Sequence, residues 1–241
     1  SRRRHTRFRN VTGVQTCALP ISQKKIDHVI PTRDKGPDDE SNWAIVFARA
    51  NESKQATHLY VARVLFLLQQ IREAASDPRG ANLGNVLEHF GGARYPLRVS
   101  VDGNAIRYTL SEKGLFDEIS APIWNDELSG ARTSFLRLPI EYLHHDDKIN
   151  PRPIGNSIRG LVEEFYRKRP QLHVPLAWID TSEADGSRVR IFDGQHKAAA
   201  QILLDQKWLP LRVFINPDTD VLITTNTNAG TTLRQDRKST R

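Results

Sequence analysis

Apolar residues recur along the chain in blocks of two different periods. Trp43–Ala50 is a short unbroken apolar run and predicts a strand. Over Thr57–Ala75, Leu59, Val64, Leu67, Leu68 and Ile71 fall at helical spacing, and Asp77-Pro78-Arg79-Gly80 stops the helix. A second short helix is expected over Asn82–Phe90, ending at Gly91-Gly92. The period then shortens to two. Leu97, Val99 and Val101 alternate with polar residues, Asp102-Gly103-Asn104 makes a turn, and Ile106, Tyr108 and Leu110 alternate on the return, which is a hairpin. Gln23–Ser41 is polar and reads as a loop, and Ser111–Gly130 reads as irregular.

The second half mixes the two periods more closely. Ser134–Ile140 alternates as a strand, His144–Gly155 reads as a polar loop with Pro151 and Pro153, and Ser157–Arg169 is an amphipathic helix. Strands over Val174–Ile179 and Arg188–Phe192 flank a turn at Thr181–Gly186. A helix over His196–Asp205 and a strand over Leu211–Ile215 follow. The class is therefore α+β, a mixed α/β chain, with a boundary near residue 130.

Composition changes this picture mainly at the ends. The chain of 241 residues carries 35 Lys and Arg against 28 Asp and Glu. The excess lies in Ser1–Ser22, with Arg2, Arg3, Arg4, Arg7 and Arg9 and no acid, and in Asp236–Arg241; Gln23–Gln235 is balanced. A basic pI is thus no argument for nucleic-acid binding by the body of the protein. The string Val11–Ile21 resembles a peptide made when sequencing-adapter DNA is translated, and Asp236–Arg241 resembles another. With no Met anywhere, the sequence reads as a fragment with foreign tails at 1–22 and 236–241; the rival reading of the first tail is a mitochondrial transit peptide. Setting the tails aside removes Cys17, the single cysteine, and with it disulfide and thiol chemistry. No apolar run is long enough to span a bilayer, which predicts a cytoplasmic protein with no membrane partner.

Candidate chemistry concentrates at Val189–Leu204, where an alternating strand runs straight into Asp193-Gly194 and a helix starts at once. Gly194 permits a tight turn and close approach to the backbone. The first turn of the helix offers N–H groups and a positive dipole end, suited to phosphate. Lys197 adds a mobile charge, His196 a donor able to move a proton, and Gln195 an amide that can orient water. On spacing alone, Asp193 as a plain helix N-cap is slightly favoured. His144-His145-Asp146-Asp147 has metal-ligand residue types but reads as a solvated loop. Arg167-Lys168-Arg169 reads as a charged helix end, and Asn226-Thr227-Asn228 as either a ligand-binding segment or a capping turn.

The pentamer Asp193-Gly194-Gln195-His196-Lys197 is similar to the signature of DGQHR-domain proteins, with Lys197 where that family has Arg. The family resembles a branch of the ParB/sulfiredoxin-like superfamily, and the likeness runs over roughly 132–235. It takes in the Ile149-Asn150-Pro151-Arg152-Pro153 loop and the Thr225–Leu233 segment. The implied organisation is an N-terminal α+β region of unknown role at 23–130 and a ParB-like DGQHR domain at 131–235. The implied function is binding of a nucleotide or DNA phosphate in DNA modification, partition or mobile-element control, in a prokaryotic or phage setting. Gly194, Gln195, His196, Lys197, Asn226, Thr227 and Asn228 would hold CTP or ATP with Mg2+, and DNA would be engaged through a region outside this sequence. Sulfiredoxin chemistry needs a motif Cys that is absent here, and ParB-like turnover uses a Glu and two Arg where this chain has Gln195, His196 and Lys197. Weak NTPase activity is the corresponding expectation. Two alternatives stand beside it. One is a metal-assisted nucleotide hydrolase, phosphotransferase or nuclease with Asp193 on Mg2+ and His196 as catalytic proton donor. The other is a degenerate protein-interaction domain, which an Arg converging on the turn would count against.

Overall fold

A computed structural model describes residues 24–48, 51 and 57–228 of the chain. The expected tails and Cys17 lie outside the described residues. The class is mixed α+β, with three sheets among the described residues. The chain divides into two compact units, Ser1–Arg63 and Val64–Arg241. Residues 64–130 therefore belong to the same unit as the expected DGQHR region. No helix among the described residues is long and apolar enough to cross a membrane.

In the first unit, β1 (Lys24–His28) pairs antiparallel with β2 (Trp43–Phe47). The polar stretch Gln23–Ser41 is thus not a plain loop. β1 holds a single apolar residue, Ile26, and is a strand because β2 supplies its hydrogen bonds, not because its own residues alternate. The connection between the strands is folded tightly on buried Asn42. Its Oδ1 accepts from Ile30 N at 2.8 Å, and its Nδ2 donates to the carbonyls of Ile30 at 2.9 Å and Pro37 at 2.8 Å. Val29 N donates to Asn42 O at 2.7 Å and closes the same turn. Asp39 caps the 3-10 turn before β2 by accepting from Ser41 N.

Helix α1 (Leu59–Ala74) follows, as its periodicity predicts. In the second unit α2 (Leu83–His89) starts in a reciprocal cap between Asn82 and Asn85. The predicted hairpin is β3 (Arg98–Asp102) and β4 (Ala105–Leu110). A third strand, β5 (Leu115–Pro122), joins it, followed by β6 (Trp124–Asn125). The irregular reading of Ser111–Gly130 is corrected here. β5 is an edge strand exposed along most of its length, so it has no buried face to impose an alternation.

The main sheet has the order β6-β7-β11-β9-β10-β8, with β7 (Arg132–Pro139), β8 (Leu143–His145), β9 (Leu176–Ile179), β10 (Val189–Asp193) and β11 (Trp208–Ile215). It is mixed. β11 runs antiparallel to β7 and parallel to β9, while β10 runs antiparallel to β9 and parallel to β8. β11 buries Leu209, Leu211, Val213 and Ile215 on alternate positions. Helices α3 (Ile158–Tyr166) and α4 (Gln195–Leu203) contribute Ile158, Val162, Ala198, Ala199, Ala200, Ile202 and Leu203 to the core.

The His144–Gly155 segment is not solvated as expected. His144 and His145 complete β8, and Asp146, Ile149, Asn150 and Ile154 are buried. The Asp146 carboxylate accepts from Lys148 N at 3.0 Å, Ile149 N at 2.6 Å and Trp178 Nε1 at 2.7 Å, so the loop is folded around its own acid. Burial pushes the His144 imidazole down to about 4, which keeps it neutral at ordinary pH.

Candidate functional site

The strand-to-helix turn forms as its sequence predicts, with two differences. Asp193 ends β10, Gly194 stands at φ 71° and ψ 17°, and α4 begins at Gln195. The N-cap is Gly194 and no side chain caps the helix, so Asp193 is not the cap that spacing alone favours. Its carboxylate lines a pocket instead. The glycine is required by protein packing: a Cβ there would come 2.9 Å from Pro175 Cα, in a backbone conformation that side chains avoid. The close approach that Gly194 allows is therefore to Pro175.

The pocket measures about 200 Å3 and is lined by Asn150, Arg152 and Leu161 together with Asp193, Gly194, Gln195, His196 and Lys197. The guanidinium-bearing Arg152 comes from the 149–153 loop, some forty residues earlier in the chain. Arg152, Lys197 and the N-terminal end of α4, whose first-turn amides lie outside the helical ladder, share one small space with the acidic Asp193. Pockets that enclose whole ligands run to roughly 300–1,000 Å3. At about 200 Å3 this one is smaller than that range.

Gln195 and His196 do different work from that expected of them. Gln195 is buried, and its Nε2 lies 3.1 Å from Asn150 O, 3.4 Å from Phe192 O and 3.5 Å from Ile191 O, while its Oε1 is buried without a protein partner. It ties the Arg152 loop to the turn. His196 Nε2 accepts from Gly155 N at 2.9 Å, so the ring proton is on Nδ1. Burial, then the charges of Arg152 and Arg72, lower its pKa and favour the neutral ring. Proton donation by an imidazolium at this position is disfavoured on both counts.

Asn226, Thr227 and Asn228 do not line this pocket. They lie on a helix over 219–228, where Thr227 Oγ1 donates to Ile223 O at 2.9 Å. Among the described residues no group of three His, Cys, Asp or Glu is placed to hold a metal, which leaves Asp193 without a ready set of co-ligands of those types.

A second constellation, in the first unit, escaped sequence reasoning. Asp27 and His28 stand at the end of β1, and Asn51 lies in helical backbone after β2. His28 N donates to Asp27 Oδ1 at 2.8 Å. The Asn51 amide lies against the same carboxylate, its nitrogen 3.0 Å from Oδ2 and 3.3 Å from Oδ1. His28 Nε2 is 2.9 Å from Asp38 Oδ1. The His28 hydrogen bond first, and then the Trp43 indole, hold the Asp38 pKa below its ordinary value. The signal that could have found the group is an Asp-His pair, then Gly36 and Asn42, ahead of the one apolar strand in the region.

Residues 15–57 match the family model described as HNH endonuclease. The match contains Asp27, His28, Asp38, Asn42 and Asn51 and also takes in residues outside the described ones, beginning within the stretch read as a foreign tail. Comparison with curated proteins finds no match.

Proposed function

We propose that this chain is a metal-dependent DNA endonuclease, with its cleavage chemistry in the first unit and a phosphate-binding, DGQHR-type module in the second. The observation that carries the reading is the meeting of Asp27 and His28, at the end of β1, with Asn51, which follows β2, inside the segment that resembles HNH endonucleases. The donor set fits a divalent cation. Turning the Asn51 amide about its last torsion puts an oxygen beside the Asp27 carboxylate, at separations of 3.0 and 3.3 Å. Two oxygens in an octahedral Mg2+ shell with ~2.1 Å bonds lie roughly 3 Å apart. Mg2+ is commonly held by one or two carboxylates plus water, so a set smaller than three acids suits it.

In this reading Asp27 and Asn51 hold the cation, which when bound supplies Lewis-acid stabilisation of charge on the phosphate. The remaining work belongs to the chain. His28 takes the proton of the attacking water, whose oxygen forms the new P–O bond. One ester P–O bond breaks, and the leaving oxygen takes a proton from solvent. Asn42 hydrogen-bonds to Ile30 and Pro37. It fixes the turn that returns the chain from β1 to β2 and so sets where Asn51 falls.

The experiment is nicking of supercoiled plasmid by the intact chain. Mg2+ or Mn2+ should support conversion to open circles, and EDTA should abolish it. Nicking that survives chelation, or none with either metal, removes the reading.

For the second unit, Arg152 supports phosphate binding over a protein-contact role, because a cation from a distant loop converges on the turn. The pocket volume favours the phosphate end of a ligand such as CTP, ATP or DNA. In calorimetric titrations with CTP, ATP and a short duplex, Arg152→Ala should weaken binding of whichever binds about tenfold, the worth of one charge-assisted contact of roughly 1.5 kcal/mol. An unchanged affinity would detach Arg152 from the site.

A further inference from the structure

We infer that Asp38 is a positioning residue for the nuclease chemistry: it fixes the proton of His28 on Nε2 and thereby leaves Nδ1 as the basic nitrogen. The inference rests on the reading of His28 as the base. An ionised carboxylate can only accept, so the 2.9 Å contact between Asp38 Oδ1 and His28 Nε2 requires Nε2 to carry a hydrogen. In a neutral imidazole the lone pair is then on Nδ1.

Asp38 is itself flanked by a second group. The Trp43 side chain helps keep its pKa low, and Trp43 is the direct cross-strand partner of His28 in the β1–β2 register. The carboxylate is therefore held by His28 of β1 next to Trp43 of β2, although its own side chain is 77% exposed. On the other flank of His28, Asp27 is engaged by the His28 backbone N–H at 2.8 Å and by Asn51. The two acids have separate tasks: Asp27 belongs to the cation pair, and Asp38 to the orientation of the ring.

An exposed ion pair of this kind contributes little to stability. Its value lies in tautomer and angle. Asp38→Asn is the informative change because the amide can present N–H to Nε2, which moves the ring proton to Nδ1 and occupies the basic position. Asp38→Glu restores an acceptor on a longer arm, and Trp43→Phe removes the indole N–H next to Asp38 while keeping an aromatic ring.

The test is steady-state plasmid nicking with Mg2+, read as separate kcat and KM values, with His28→Ala alongside. For Asp38→Asn we expect kcat to fall about 10- to 100-fold, a fraction of the effect known for losing the carboxylate partner of a buried catalytic His, with KM within about twofold. Asp38→Glu should recover kcat to within about threefold of the parent and Trp43→Phe should lie between. A parental kcat in Asp38→Asn while His28→Ala is inactive overturns the role of Asp38 and leaves the base intact. A loss in Asp38→Asn that Asp38→Glu does not relieve, or that falls on KM, also overturns it. Full activity of His28→Ala removes the underlying reading instead.

Discussion

His28→Ala should lower the rate of metal-supported plasmid nicking by about 10^2- to 10^4-fold, the range that a positioned general base contributes. DNA affinity should change little, because the substitution removes one partly exposed side chain on β1. The fold of the first unit should persist as well. His28 is partly exposed, and its backbone stays paired with Trp43 in the register of the hairpin. Rates of nicking and duplex affinity, measured on the same preparation, separate a chemical defect from a binding one. Nicking at the parental rate would place the base elsewhere and return attention to the acid and imidazole at the α4 turn. There the geometry is less favourable, since His196 Nε2 already accepts from Gly155 N.

Gly36→Ala should unfold the first unit locally. A Cβ at this position would run into the carbonyl oxygen of Ile30 and stand 2.8 Å from Asn42 Nδ2. Those two atoms are hydrogen-bonded to each other at 2.9 Å, so the methyl group cannot be admitted without opening the Asn42 clamp. Asn42 is almost fully buried, and its polar atoms would be left without partners. Overpacking and an unsatisfied buried amide together cost about 2–5 kcal/mol. Hydrogen exchange at Ile30 N, which donates to Asn42 Oδ1, reads this directly. Gly103→Ala is the control: nothing lies within 4 Å of its Cβ, and only its φ of 57° opposes the change, at about 1 kcal/mol. Equal effects of the two substitutions would mean that the clamp does not hold the β1–β2 connection.

Legibility in the sequence followed the physics of each element. Helices α1, α2 and α3 were readable because a buried stripe forces a 3.6-residue period, as at Val64, Leu68 and Ile71. The β10–α4 turn was readable because a strand period meets a helix period at Gly194. β1 was not, since a two-stranded ribbon with one apolar residue prints no alternation, and its identity depends on a partner in another part of the chain. Sites built from distant segments were hidden for the same reason. Asn51 meets Asp27 after a hairpin, and Arg152 meets Lys197 from a loop whose buried carboxylate, Asp146, made it look solvated. The Asn226–Asn228 segment shows the converse. Its residue types suit ligand binding, yet they fall on a helix and do not line this pocket.

The side-chain amide of Gln195 gives the pentamer a grammar that its letters do not show. By gripping the carbonyls of Asn150, Ile191 and Phe192, it acts as a rivet between the corner and the span that carries Arg152. A chain retaining Gly194 and Lys197 but lacking this glutamine would keep the bend and one cation while letting the other drift. Gln195 thus sets the spacing between Arg152 and the corner without carrying a charge of its own.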